Sequence, residues 1–217
     1  MKPIPKEDIQ SLERDILFQV LDFFEQYHIT YFTSGGTTLG AVRHEGFIPW
    51  DDDIDLVMLR EDYDKFVQIA PVWLKEDLVL QTVYTEKNYL RGHAQIRNSK
   101  SCGCNEEDKK AGYNCGIFID IFPLDGMPKT EKERKNWAKK IQFYWTVLYT
   151  WYRFDYYENA TVFGKLLHGI GMLLHVPMVK AYKGYEKLCT RFKGKDTEYV
   201  CDTVFIRYLE KNAWKRE

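Results

Sequence analysis

The sequence predicts an α/β (α+β) protein with a mixed β-sheet core flanked by helices and a helical C-terminal region. Two observations lead to this prediction. Segments typical of strands and of helices alternate up to about residue 125, whereas the segments beyond Thr130 have helical character only. We therefore predict an α/β core over residues 1–128 and a helical region packed on it over residues 129–217.

The predicted core begins with an amphipathic helix. Apolar residues recur at helical spacing from Ile9 to Phe24, with charged residues between them. Short β-branched and aromatic runs bounded by turn residues are typical of strands. The other elements predicted here are strands over 29–33, 54–59, 78–84, 94–97 and 116–122, a helix over 37–43 that ends at Gly46, a helix over 61–70 that ends at Pro71, and a turn at 123–126.

The C-terminal region is predicted to hold three helices, over 131–153, 162–175 and 179–192. Aromatic residues are dense over 144–157, and two interpretations are open for them. They pack helices together, or they form a cage for a trimethylammonium group. The same alternatives apply to Trp50, which is either a core residue or part of such a cage. The helix over 162–175 has an apolar face with Lys and His residues around it. That helix either packs on the core or lies in a membrane interface as a peripheral contact.

Composition excludes several classes of function. The net charge of −1 gives no argument for binding nucleic acid, and none is expected as a partner. The N-terminal segment is charged and lacks the apolar stretch of a signal peptide, and no apolar run reaches the ~20 residues of a spanning helix. The five cysteines contain no CxxC pair, which favours reduced thiols over a zinc site. These features predict a cytoplasmic protein.

The strongest functional signal is an acidic cluster at residues 51–55. If this segment enters a strand, Asp53 and Asp55 point to one face with Cα atoms ~6.5–7 Å apart. Two carboxylates on one face can hold Mg²⁺, or Mn²⁺ in its place, together with water and substrate phosphate. Asp120 is a lone charge in an apolar strand. If its strand lies beside the strand over 54–59, Asp120 becomes a third ligand or a base for an attacking hydroxyl.

A glycine turn precedes this cluster in the chain. The segment Ser34–Thr38 follows a predicted strand and opens a helix, so its backbone N–H groups can bind a phosphate. Arg43 and His44 add two further donors. The predicted phosphate-binding residues are Gly35, Gly36, Thr38, Arg43 and His44.

Each of these features alone has a simpler explanation. A Gly-Gly pair is usually a turn, an arginine usually pairs with a surface acid, and an Asp triplet usually caps a helix or lies in solvent. A calcium loop is excluded because Leu56 and Asp62 stand where an EF-hand needs Gly and Glu. The combination of glycine turn, arginine and acids is what indicates phosphoryl-transfer chemistry.

Three segments carry a resemblance to a known family. GGTTLGAVRHEGFIPWDDDIDLVM, the following REDYDKF and the later GIFIDIFPLD resemble the LicD family of phosphocholine transferases. That family includes the fukutin-related proteins and belongs to the nucleotidyltransferase-fold superfamily. The resemblance is dense from about Leu12 to Asp125. It implies a nucleotidyltransferase-type sheet with the glycine pair at 35–36, the metal-binding acids at Asp53 and Asp55, and the third acid at Asp120.

The resemblance also implies an activity. The expected reaction is Mg²⁺-dependent transfer of phosphocholine from CDP-choline to a sugar hydroxyl of a teichoic acid, lipopolysaccharide or capsule glycan. The acceptor is expected to be lipid-linked at the inner face of the membrane. Alternatives are transfer of ribitol phosphate from its CDP donor, nucleotidyl transfer to a small-molecule hydroxyl, and a non-catalytic binding module. The Tyr-Gly-Asp-Tyr-like C-terminal signature usual in the family is absent from these 217 residues.

Overall fold

A computed structural model of the protein describes residues 5–75, 77–103, 109, 112–152, 162–174 and 177–215. The chain divides into two compact units that are interleaved in the sequence. The first unit takes in the described residues up to Gln81, residues 93–103 and Asn114–Leu124. The second takes in Thr82–Gly92, the described residues between 105 and 113, and those from Asp125 onward. All the predicted site residues lie in the first unit.

The first unit is a mixed sheet flanked by helices, as predicted. Its strand order is β1-β2-β5-β4-β3, in which β2 and β5 are parallel and the other neighbours are antiparallel. The elements in chain order are α1 (Lys6–Gln26), β1 (Phe32–Thr33), α2 (Gly35–His44), β2 (Asp55–Leu59), α3 (Arg60–Trp73), β3 (Leu78–Gln81), β4 (Ala94–Asn98) and β5 (Ile117–Gly126), whose last two residues belong to the second unit.

Helices α1 and α3 cover one face of this sheet. The apolar stripe of α1 is buried at Ile16, Val20 and Phe23, where it meets Phe66 of α3 with 5.8 Å between the Phe23 and Phe66 ring centroids. The strands contribute buried side chains such as Leu56 to the same core. Burial of one such side chain contributes about 1.5–3 kcal/mol. The amphipathic pattern of α1 therefore fixes which of its faces meets the sheet.

Several predicted boundaries in the first unit are wrong. Helix α3 continues past Pro71 to Trp73, because a proline in the last turn costs one hydrogen bond without ending the helix. Strand β5 likewise continues through Pro123, which pairs with Met58 of β2. Helix α2 ends at His44, and the residue that caps it in the left-handed region is Glu45, with a φ of 55°, rather than Gly46.

The second unit contains helices and a hairpin. Its elements are α4 (Glu131–Tyr152), α5 (Val162–Leu174), α6 (Met178–Cys189), a 3₁₀ turn (Thr190–Phe192), β6 (Tyr199–Asp202), β7 (Arg207–Glu210) and a second 3₁₀ turn (Lys211–Lys215). The prediction that this region is helical only is wrong at the β6–β7 hairpin. The Asp202 carboxylate forms its turn, accepting from the Val204 N–H at 2.9 Å and from Arg207 Nη2 at 3.0 Å.

Described aromatic residues of α4 pack against α6. The ring centroids of Trp145 and Tyr185 are 5.0 Å apart, and the Tyr144 hydroxyl donates to the Ala181 carbonyl at 3.3 Å. These contacts agree with the helix-packing interpretation of the aromatic stretch. Residues 153–157 of that stretch, like His175 and Cys104, lie outside the described residues. The four described cysteines, Cys102, Cys115, Cys189 and Cys201, are free thiols.

Helix α5 exposes large apolar side chains. Those of Val162, Phe163, Leu166 and Leu173 are each more than half exposed. In the part of the chain that the structure describes, no helix has both the length and the apolarity to cross a membrane.

Candidate active site

The glycine turn is fixed beside the start of β2 by backbone hydrogen bonds. The Ser34 N–H donates to the Asp55 carbonyl at 3.0 Å, and the Asp55 N–H donates to Thr37 Oγ1 at 2.8 Å. Gly35, the first residue of α2, has a φ of 58°, in the left-handed region that favours glycine. The turn therefore places the N-terminus of α2 next to the acidic segment. Thr38 contacts the strand behind it, with its Oγ1 donating to Thr33 Oγ1 at 3.0 Å.

A carboxylate lies so close to Gly36 that any side chain at this position would have to displace it. A Cβ atom built on Gly36 would lie 2.2 Å from Asp51 Oδ2, far inside any real contact distance. In this structure the space above the second glycine is thus used by a carboxylate of the acidic cluster. The glycine pair and the aspartates are therefore parts of one site.

Replacing Gly36 with Ala is expected to destabilise the protein by about 2 kcal/mol, because the new methyl group displaces the Asp51 carboxylate. Urea unfolding measures this change. The double variant Gly36→Ala, Asp51→Ala should recover most of the loss. The matched control is Gly46→Ala, whose nearest neighbour to a built Cβ is 4.0 Å away. Equal losses in both single variants would contradict this explanation.

Two of the predicted acids meet across neighbouring parallel strands. Asp55 of β2 and Asp120 of β5 are register partners, and the Asp120 N–H donates to the Ile54 carbonyl at 2.9 Å. Partners on adjacent strands point to the same face about 5 Å apart. The sheet thus brings together two carboxylates that are distant in the sequence.

Asp53 lies just outside β2 rather than within it, since the strand begins at Asp55. Its carboxyl group makes a hydrogen bond to Asp51. Desolvation, the charge of Asp51 and this hydrogen bond raise the pKa of Asp53 to about 6, with smaller contributions from Asp120 and Asp52. The acids at 51–55 therefore form an electrostatically unfavourable group that a cation would stabilise.

The Asp120 carboxylate is held by a buried network. His93 Nε2 lies 3.0 Å from Asp120 Oδ1, and Gln95 Nε2 donates to the same oxygen at 2.7 Å. Behind them, Arg97 Nη2 donates to Gln95 Oε1 at 2.7 Å. Both Gln95 and Arg97 are fully buried. Because two donors meet one oxygen, the network sets the orientation of the Asp120 carboxylate.

A pocket of about 670 Å³ lies against the acidic cluster. Helix α1 lines it with Gln10, Arg14 and Leu17, and the opposite side includes Gly36 and Asp53. Among the described residues that line this pocket, Arg14 is the basic one. The pocket size is in the range usual for small-molecule sites.

Two predicted phosphate-binding residues are not among those that line this pocket, although Glu45 and Gly46 beside them are. Arg43 and His44 are exposed in the last turn of α2, so about 10–14 Å of helix separates them from the glycine pair at its start. The His44 ring instead lies 6.2 Å from the exposed Trp50 ring. Their role in binding phosphate remains a prediction.

Glu13 of α1 was not predicted to belong to the site. Its side chain is only 3% exposed, and burial followed by the charges of Asp53, Asp52, Asp120 and Asp51 raises its pKa to about 9. The sequence could have pointed to Glu13, because this residue falls on the apolar stripe of α1, where a charged side chain is unusual. His93 and Gln95 were missed too. His93 directly precedes β4 and Gln95 lies within it as the register partner of Asp120, and their spacing of two is that of residues on one face of a strand.

The donor groups present fit a hard divalent cation. Mg²⁺ takes one or two protein carboxylates and completes its octahedron with water and phosphate oxygens, and Asp55 and Asp120 supply such a pair. Among the described residues, no group of three or more His, Cys, Asp or Glu side chains stands in an arrangement that could hold a metal ion. The predicted set of Asp53, Asp55 and Asp120 is thus not preassembled, and its metal-binding role remains a prediction.

The first unit is thus a mixed sheet with a glycine turn at an edge strand and carboxylates on adjacent parallel strands. The chain belongs to the LicD/FKTN/FKRP nucleotidyltransferase-domain family, whose model matches residues 28–152. This result confirms the resemblance found in the sequence.

Curated proteins of several organisms are similar to this chain. Lipopolysaccharide cholinephosphotransferase LicD of Haemophilus influenzae is 38% identical over 122 residues, which cover 54% of this chain and 44% of that protein. Ribitol 5-phosphate transferase FKRP of Mus musculus and of Homo sapiens is 32% identical over 91 residues, covering 36% of this chain and 18% of each relative. The chain therefore matches less than half the length of these relatives.

Proposed function

We propose that this protein is an enzyme that transfers phosphocholine from CDP-choline to a sugar hydroxyl of a cell-surface glycan, such as lipopolysaccharide, teichoic acid or capsule. The observation that carries the proposal is the pairing of Asp55 with Asp120 beside the glycine turn. Similarity to the Haemophilus cholinephosphotransferase supports choline as the alcohol and a lipopolysaccharide-type glycan as the acceptor.

In this proposal Asp53, Asp55 and Asp120 bind Mg²⁺, or Mn²⁺ in its place. The cation supplies positive charge that neutralises the donor phosphates, which is most of what phosphoryl transfer requires. Asp120 is the candidate base for the acceptor hydroxyl. His93 and Gln95 hold its carboxylate at Oδ1 and so limit its rotation.

The donor phosphates are proposed to bind at the N-terminus of α2. Gly35 and Gly36 begin that helix, where backbone N–H groups and the helix dipole favour an anion. Arg14 supplies a guanidinium in the wall of the adjacent pocket. Thr38 and the predicted residues Arg43 and His44 complete the set to be tested.

Substitution of Arg14 and Arg43 separates the two candidate arginines. We expect Arg14→Ala to raise the KM for the donor by about tenfold or more, because a charged hydrogen bond to phosphate contributes about 1.5–3 kcal/mol. Arg43→Ala, at the far end of α2, should change the KM less than threefold. Steady-state kinetics with CDP-choline measures both. A larger rise in KM for Arg43→Ala than for Arg14→Ala would instead assign phosphate binding to Arg43.

Ribitol phosphate is the second candidate group, favoured by the similarity to the mouse and human ribitol 5-phosphate transferases. Competing CDP-choline, CDP-ribitol and CTP in one reaction identifies the donor. Phosphocholine transfer releases CMP from CDP-choline. Consumption of CTP with release of pyrophosphate would instead show nucleotidyl transfer.

We further propose that α5 contacts a membrane peripherally, at the inner face of the cell membrane, where a lipid-linked acceptor would be present. The exposed side chains of Phe163, Leu166 and Leu173 provide the apolar surface, and the exposed Lys165 provides a positive charge.

The protein is expected to float with anionic vesicles. The double variant Phe163→Ser, Leu173→Ser should reduce the bound fraction at least fivefold, because it removes two exposed apolar side chains that would insert into the bilayer. Flotation on a density gradient measures the bound fraction. The matched control is Phe143→Ser, an exposed aromatic of α4. Absence of vesicle binding by the unaltered protein would rule out the contact.

A further inference from the structure

One buried carboxyl group near the acidic cluster has no assigned role. Glu13 lies on the same face of α1 as Gln10, three positions away, and Gln10 lines the pocket next to Asp53. Gln10 fixes the distance of the helix from the cluster, because its Nε2 donates to the Asp51 carbonyl at 2.6 Å. This hydrogen bond keeps the face of α1 that carries Glu13 close to the acids at 51–53, whose charges act on Glu13.

The side chain of Glu13 is buried without compensation. It is 97% buried, and its Oε2 accepts no hydrogen bond from any described residue. The charges that act on it are those of Asp51, Asp52, Asp53 and Asp120, all of the same sign. An unpaired buried carboxyl group costs free energy, so a fold that retains one gains something else from it.

We propose that Glu13 belongs to the cation-binding site and acts as a positioning residue that strengthens the binding of a divalent cation by the aspartates. A cation held by Asp53, Asp55 and Asp120 offsets the negative charge around Glu13 and so favours its carboxylate form. The attraction between that carboxylate and the cation is weakly screened because Glu13 is buried. Glu13 precedes residue 28, where the match to the family begins, so the match does not assign it. This inference depends on the metal-dependent function proposed above.

Different effects follow for Glu13→Gln with and without a cation. Without a cation the raised pKa of Glu13, about 9, keeps the carboxyl group protonated at pH 7, so Gln removes no charge and the melting temperature should change by less than about 3 °C. With a cation, Gln cannot form the carboxylate that the cation attracts, so the Kd should rise at least tenfold. A residue with only a structural role would change stability and leave cation affinity unaltered.

The test is titration of the intact protein with Mn²⁺ alone by calorimetry, together with thermal unfolding with and without Mn²⁺. The variants are Glu13→Gln and, as the matched control, Glu25→Gln at the exposed end of the same helix. Weaker Mn²⁺ binding and a smaller Mn²⁺-induced rise in melting temperature in Glu13→Gln, with neither change in Glu25→Gln, would support the proposal.

Two other outcomes would overturn it in distinguishable ways. Equal Mn²⁺ affinity in the unaltered protein and Glu13→Gln would remove Glu13 from the site while leaving the proposed function intact. Absence of Mn²⁺ binding by the unaltered protein, with CDP-choline present as well as absent, would remove the metal role on which both proposals depend.

Discussion

Replacing Asp55 or Asp53 with Asn is expected to lower the rate of phosphocholine transfer by at least about 10³-fold while leaving the fold intact. The change removes a negative charge from the proposed cation site and keeps the size of the side chain. For Asp55 the backbone contacts to Thr37 and Ser34 are unaffected, since they involve its N–H and C=O groups. Turnover of CDP-choline measures the rate, and circular dichroism confirms the fold.

Asp52→Asn is the matched control for these variants. Asp52 is an exposed neighbour in the same cluster, so its loss should reduce the rate by less than about tenfold through weakened long-range charge alone. If Asp55→Asn retained more than a tenth of the normal rate, the assignment of Asp55 to the cation would be wrong. Equal losses in all three variants would indicate a general charge effect rather than a specific site.

The largest effect on stability is expected for Arg97→Met. Arg97 is fully buried and donates hydrogen bonds to Gln81, Gln95 and the Gly116 carbonyl. Methionine fills a similar volume but leaves these acceptors unsatisfied inside the sheet. The expected loss is about 3–5 kcal/mol in the free energy of unfolding, which guanidinium chloride denaturation measures.

Lys100→Met provides the comparison for that loss. Lys100 is exposed and pairs with Asp77 at 2.7 Å on the surface, where such a pair contributes about 0–1 kcal/mol. Because Gln95 connects Arg97 to Asp120, any folded Arg97→Met protein should also bind Mn²⁺ more weakly. A loss below 1 kcal/mol for Arg97→Met would show that the network contributes little to stability.

Periodicity predicted most of the first unit. The apolar stripe of α1 and the short strand runs at β2 and β5 are local patterns, and local patterns are what a sequence shows directly. The pairing of Asp120 with Asp55 was also expected, because an acid in an apolar strand needs a partner. The family resemblance, confirmed over residues 28–152, supported the same arrangement.

The remaining features depend on tertiary packing. The chain turns between β6 and β7 at Asp202, whose carboxylate accepts from a backbone N–H two residues on. Because an Asp side chain makes the same kind of bond at the start of a helix, the sequence alone favoured helix here. The place of Arg14 in the pocket wall depends on the docking of α1 against the turn before β2. The hydrogen bond between Asp51 and Asp53 depends on β2 beginning two residues after Asp53, a boundary that sequence patterns do not fix.

The measurement that tests the central proposal most directly is ³¹P NMR of the protein with CDP-choline, Mg²⁺ and lipopolysaccharide as acceptor. The proposed function predicts loss of the CDP-choline diphosphate resonances, release of CMP and growth of a phosphodiester resonance on the glycan. The same reaction with Asp55→Asn should show no change. Unchanged CDP-choline in the presence of the unaltered protein, while CTP under the same conditions is converted to pyrophosphate and a nucleotidyl product, would contradict it.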